Sequence, residues 1–455
     1  MTRIMFGSQR VARGAQTTTG TKVVGFTMMT LTVAGLTLLA QPGRVAAGNG
    51  RPEAGRSVYA PAVSSASAAA TEAARGVGSN GHLPIGAPGD AAGADTFFAA
   101  QKSFDQVEVA ADGLGPVYNA QSCRECHQSP MSGGSSQVTV LRAGTGGRRG
   151  FQPHAGGSLI QDRAIDPSLQ ETVEGRRDTV TALRISLSIL GDGYIEAVPD
   201  RTFYDIAAAQ PEGQRGEVVL VDVLEVPGVQ RVGRFGWKSQ HASLLSFAAD
   251  AYLNEMGITS PLFPEENTSN GRSVDAFDAV ADPEEAPSAE FPFGEDVHIF
   301  AEFSRSLMAP PRAAGAADDP DVQAGSAAFR AAGCEVCHTP TLETAPAGTR
   351  LNGGTFVVSA ALGDKRVHPF SDYLLHDIGV GDGIHQTGSD EARNKMRTAP
   401  LWGLATRNRY MHDGLSFTLE DAIRRHAGQA EPARRAFENL SHEEREQVVA
   451  FLRSL

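Results

Sequence analysis

Apolar residues recur at helical spacing in several stretches of the chain. Between residues 241 and 256, Leu245, Ala248, Tyr252 and Glu255 fall on one face, which predicts a helix with an acid among its apolar positions. Near the end, Ser441 and Glu444 form a capping box ahead of Val448, Phe451, Leu452 and Leu455. Thr418 reads as an N-cap with Asp421 at N3, and Leu419, Ala422, Ile423 and His426 then share a face. Val322, Gly325, Ala328 and Phe329 predict a helix just before Cys334. Residues 217–226 are β-branched instead and run into Pro227-Gly228, a strand and a turn. The pattern predicts a mainly α chain with a minor β component in its N-terminal module.

One apolar run differs from these. Val23 to Ala40 follows a basic stretch and precedes Val45-Ala46-Ala47, which offers small residues for cleavage before Gly48. Residues 1–47 therefore read as a signal peptide, and the chain is expected in the periplasm. The run is also nearly long enough to span a bilayer, so a retained anchor is the alternative and the one route to a membrane.

Composition divides the rest. Residues 48–95 are rich in Ala, Gly, Ser and Pro and carry too little apolar area to offset chain entropy, which predicts a disordered linker. A second breaker-rich stretch, Ala309 to Pro320, separates an N-terminal module, 96–312, from a C-terminal one, 313–455. A chain of 455 residues is too long for one compact core, which agrees with that division. The formal charge of −13 argues against nucleic acid and anionic membranes as partners and would suit a cationic one.

The word haem enters through the cysteines. All four belong to two segments, Cys123-Arg124-Glu125-Cys126-His127 and Cys334-Glu335-Val336-Cys337-His338. Two thiols at this spacing can add to the two vinyl groups of one haem, and the histidine that follows falls under the iron as its proximal ligand. A disulfide framework would not place a histidine after both pairs, and a zinc site built from such pairs needs neither histidine nor export. Two covalently bound c-type haems are the expected cofactors, with His127 on the first iron and His338 on the second. His426 is the expected sixth ligand of the second iron, because Met396, its competitor, lies between Lys395 and Arg397 in a polar loop.

Further segments carry a resemblance. Gly115-Pro116-Val117-Tyr118-Asn119-Ala120 precedes the first pentad; Gly233 to Lys238 and Asn254 to Ser260 follow it. Ser371 to Gly379 comes later, and Arg397 to His426 contains Tyr410-Met411-His412-Asp413-Gly414. Over residues 96–455 the chain resembles the di-haem oxidoreductases related to bacterial di-haem cytochrome c peroxidases. The resemblance implies two cytochrome c-like haem domains, a catalytic first haem and an electron-transfer second haem. His426 stands where that family's distal ligand is usually methionine. Trp237 stands as the aromatic between the haems, and Glu255-Met256 as the pair whose glutamate moves protons over the first iron. It also implies calcium between the domains, although Arg409 occupies the region where a proline is expected near Thr406. His154 is the nearest stand-in for a loop histidine that would cap the first iron, and His376 and His412 are expected to position propionates or loops near the second haem.

The implied activity is reduction of hydrogen peroxide, with electrons relayed from the C-terminal haem to the N-terminal one and supplied by a small redox protein or a quinol-linked cytochrome. Two rival readings stand beside it. One is a plain electron carrier with both irons six-coordinate, for which His154, His241 or His298 would have to cover the first haem. The other is a high-valent haem oxidase acting on a protein or polymer.

Overall fold

The computed structural model describes residues 79–82 and 93–455, apart from 148, 149, 174, 176 and 178. They all fall in one compact unit, Ala60–Leu455. The apolar run at 23–40 and most of the linker lie outside the described residues. Among the described residues, no helix is long and apolar enough to cross a membrane.

The expectation of a mainly α chain built as two cytochrome c-like domains is corrected here: 33% of the chain is helix and 16% is strand. The largest sheet lies in a region that gave no strand signal at first reading. Its central strand β1, Thr139–Gly147, pairs antiparallel with β2, Gly150–Pro153, and β3, Leu159–Ile160, and along most of its length with β4, Thr179–Ile185. The register sets Thr139 against Ile185 and Leu141 against Leu183. Both strands are rich in Thr, Val, Leu and Ile, but the glycines of the hairpin interrupt the alternation and hide it. The remaining ladders are two or three residues long and pin loops rather than build layers. The stretch at 217–226 is one of these, reduced to Leu220–Asp222 paired with Gln230–Val232 around a turn at Gly228.

The helices start where their caps say. α1 is Gly93–Asp105, α2 Leu244–Ala251, α3 Glu295–Ser306, α4 Pro320–Ala331, α5 Leu419–Arg424 and α6 His442–Arg453. Ser243 caps α2 by accepting from the amides of Leu245 and Ser246, and Ser441 and Glu444 close the capping box of α6. α5 stops at Arg424, short of His426, whose amide bonds Ile423 O at 3.1 Å in the closing turn.

One hydrophobic core joins α1, α2 and α3 and also takes in Leu342, Val367, Leu374 and Trp402 from beyond Pro320. A second core packs α4 on α6 through Val322, Phe329, Val448 and Phe451. Gly325 makes that crossing close: a Cβ there would sit 1.9 Å from Gln447 O. Gly325→Ala is therefore expected to force the helices apart and cost about 1–3 kcal/mol, read as a lower urea midpoint. An unchanged midpoint would mean that the crossing yields without strain.

Residues 79–82 lie along α3. Asn80 N donates to Ser306 O at 2.8 Å, and His82 Nε2 is 2.6 Å from Glu302 Oε2. Glu302 belongs to a buried network in which Arg305 also holds Glu196 through two bonds, at 2.6 and 2.9 Å. Glu196 in turn accepts from Leu244 N at 3.0 Å, and so fixes the start of α2.

Candidate functional site: two cavities and the wall between them

Each Cys-x-x-Cys-His segment opens onto its own cavity. The first, of about 1430 Å³, is lined by Cys123, Cys126 and His127; the second, of about 1440 Å³, by Cys334, Cys337 and His338. All four cysteines are free thiols. Both segments are short turns: Cys123–Cys126 is one α turn capped by Ser122, and Cys334–Val336 is a 3₁₀ turn entered through Gly333 in the left-handed region.

The histidines are presented as ligands are. His127 Nδ1 donates to Gly134 O at 3.3 Å, and His338 Nδ1 to Phe370 O at 2.9 Å. That tautomer leaves the Nε2 lone pair for a metal. Burial keeps both rings neutral, pushing His127 down and His338 down to about 4. His426 lines the second cavity with His338, and its Nδ1 donates to Ala422 O at 2.8 Å. Met396 lines the same cavity from a two-residue strand, so it sits nearer the site than its polar neighbours suggest. His376 and His412 also line it.

The first cavity differs. Among the described residues its only lining histidine is His127; His154, His241 and His298 lie elsewhere. Glu255 lines it instead, from a π turn, Tyr252–Met256, that continues α2 and ends at Gly257, φ +73°. A π turn adds a residue to the helical register, and such turns are frequent at functional sites. Asn119 Nδ2 donates to Glu255 Oε2 at 2.8 Å, and the amides of Asn119 and Ala120 bond Glu255 O. Burial pushes the Glu255 carboxyl up; the charge of Arg142 and the bond from Asn119 oppose it. Met256, the neighbour of Glu255, is the thioether in this wall.

Six residues line both cavities: Ile185, Ser186, Leu187, Trp237, Arg397 and Pro400. Ile185 ends β4, and Ser186 and Leu187 follow it directly. Trp237 is held by its Nε1 bond to Ile185 O at 2.8 Å, and its ring stands edge-on to His412, centroids 6.0 Å apart. Arg397 is buried, with Nε on Gly236 O at 2.7 Å and Nη1 on Thr398 O at 3.3 Å. Arg142 lines the first cavity and reaches Ser158 Oγ at 3.1 Å. Among the described residues neither guanidinium has an ion-pair partner. A buried and a half-buried cation beside these cavities call for anions, and the two carboxylates of a haem meet that need.

Sequence reasoning gave Glu255, Trp237 and the pentads as candidates but passed over Asn119, Arg142 and Arg397. Arg397 had a signal, since it opens a quoted segment; Arg142 had none, being one arginine in a strand not foreseen. In the region named for calcium, the Thr406 hydroxyl donates to Gly403 O at 2.7 Å and Arg409 donates to Gly414 O at 3.4 Å.

Two thiol-and-histidine cavities that share an aromatic wall define a redox protein with two haem sites. The chain belongs to the family described as "Di-haem oxidoreductase, putative peroxidase", whose model matches residues 166–455. The match begins after the first pentad. In structure the chain is similar to hydrazine synthase of Kuenenia stuttgartiensis, at 14% identity over 79% of this chain and 87% of that one, TM-score 0.37. It is also similar to a MauG-like protein associated with microbial copper homeostasis, at 17% identity over 59% of this chain and 89% of that one, TM-score 0.29. No curated protein matches the sequence.

Proposed function

We propose that the protein is an exported, periplasmic c-type oxidoreductase that reduces hydrogen peroxide at the first cavity with electrons relayed from the second. The observation that carries this is the contrast between the cavities. The second offers two histidines, His338 and His426, for one metal; the first offers only His127, and a buried carboxylate lines the cavity beside it. A haem in each cavity, joined through Cys123 and Cys126 or through Cys334 and Cys337, supplies an iron that exchanges electrons one at a time and, where one face is open, takes a small ligand.

The chain's residues do the rest. His127 and His338 would each ligate a haem iron, and His426 would be the second ligand in the second site. Asn119 fixes Oε2 of Glu255, which leaves Oε1 free to accept and return a proton in the first cavity, the transfer that peroxide cleavage there would need. The raised carboxyl suits that task, because it gives up and regains a proton closer to neutral pH than an exposed glutamate does. Trp237, the aromatic residue that lines both cavities, is the bridge across the wall in this reading. The electron donor in this reading is a small redox protein.

The test is peroxide consumption by the half-reduced protein, with low-temperature EPR of the resting state. One high-spin haem and rapid consumption are expected. Two low-spin haems and inert peroxide would instead make the protein an electron carrier, with Met256 the first residue to suspect as the extra ligand.

A further inference from the structure

His376 and Asp372 are almost wholly buried, at 1% and 0% exposure. His376 ends a two-residue strand paired with Met396–Arg397, which fixes its backbone. Its Nε2 lies 2.8 Å from Asp372 Oδ2, an oxygen that also accepts from Gln210 Nε2 at 2.7 Å. Asp372 Oδ1 accepts from Leu374 N at 3.0 Å. The carboxylate thus meets donors on both oxygens, so it is ionised and Nε2 carries a proton.

The other ring nitrogen, Nδ1, is 3.6 Å from Cys337 Sγ. A thiol can donate to a bare Nδ1. A thioether sulfur has no proton and can only accept. Once Cys337 is joined to a haem, a neutral His376 would therefore set two acceptors against each other in a buried place. A proton on Nδ1 removes that conflict.

We infer that haem attachment at Cys337 fixes His376 as an imidazolium whose Nδ1–H donates to the thioether sulfur and whose charge raises the reduction potential of the second haem. The inference rests on the covalent attachment proposed above. His376 lines the cavity and Asp372 does not, so the positive end of the pair faces the cofactor and the negative end lies behind it. A positive charge on that side favours the reduced form. The surroundings support the charged ring: burial opposes it, and the charge and hydrogen bond of Asp372, which attachment at Cys337 leaves in place, are the largest effects that raise it. His376 is a positioning residue here, acting on the iron through the thioether and through space. The first site lacks the arrangement, since Cys126 has the neutral hydroxyl of Ser186 as its side-chain partner.

The experiment is a potentiometric titration of the holoprotein, followed by the optical bands of each haem, for wild type, His376→Gln and Asp372→Asn. Intact mass reports covalent haem in the same samples. The second haem's midpoint is expected to fall in both variants: further in His376→Gln, where the carboxylate remains without its cation, and less in Asp372→Asn, where the buried ring without its carboxylate gives up its proton, while the first haem's midpoint stays. An unmoved second midpoint in variants that carry two covalent haems overturns the inference. If the glutamine variant fails to retain its second haem, Asp372→Asn, which leaves the ring in place, decides. Wild type without covalent haem would instead sink the attachment reading, and intact mass tells the two failures apart.

Discussion

Glu255→Gln is expected to lower peroxide turnover by about 10²–10⁴-fold, the usual contribution of a positioned proton-transfer group, while haem content and resting spectra stay the same. Glutamine keeps an acceptor for Asn119 Nδ2 and leaves the backbone bonds from Asn119 and Ala120 intact, so the π turn has no reason to unwind. The loss should fall on kcat rather than on KM for peroxide, because the carboxylate acts on the proton in transit. The pH profile gives a second readout. Glu255 must be ionised to accept a proton, and burial raises its pKa, so wild-type turnover should fall on acidification at a pH above the ordinary glutamate range. That acid limb should vanish in the variant. Full turnover with the acid limb unchanged would remove Glu255 from the mechanism and move attention to Arg142, a half-buried cation in the same cavity.

Arg305→Met is expected to be the most destabilising single change outside the haem sites, at about 3–5 kcal/mol near neutral pH, read by urea unfolding. The guanidinium bonds both oxygens of Glu196 and reaches Glu302, and all three residues are buried. Methionine would fill the space and leave Glu196 without a cation and Glu302 with His82 alone. The sign of the pH dependence follows. In wild type, burial works against both carboxylates, but Arg305, joined at Glu302 by His82, outweighs it, holding Glu196 below its usual value and Glu302 at about 2. Their stabilisation is full above the ordinary glutamate range and is lost as pH falls towards 2. Without the cation, burial raises both groups, and protonation on folding then relieves the variant as pH falls. The gap between the two proteins should therefore be widest near pH 7 and narrower by about pH 4. A gap that does not change with pH would make the effect one of packing alone. Activity should suffer too, because Glu196 holds Leu244 N at the start of α2, the helix that continues into the turn carrying Glu255.

How much of this was legible beforehand differs from residue to residue. The two pentads are contiguous, and a haem segment needs nothing beyond its own five residues to be recognised. The capping boxes and the apolar face of α6 are also local, so pattern and structure agree at Ser441, Glu444, Val448 and Phe451. The chemistry of Glu255 was readable only as an acid in an apolar position. Its direction depends on the π turn, a departure from helical register that spacing alone does not announce.

The sheet escaped for a different reason. β1 and β4 are stabilised by pairing with each other across a long separation in sequence, and neither strand has a clean alternation of its own, so the sequence overstated the helix. With the sheet went the wall it builds: Ile185, Ser186 and Leu187 stand between the cavities only because β4 runs there, and Arg142 faces the first cavity only because β1 lies beside it.

The sequence by itself determined the cofactor segments, their number and the local helix boundaries, because those rest on residues within one or two turns of each other. Tertiary structure alone decided that Trp237 and Arg397 serve both cavities, that His154, His241 and His298 do not line the first, and that Asp372 stands behind His376. Those facts depend on which distant segments share a buried space, where an unpaired charge or a bare lone pair costs too much to be tolerated.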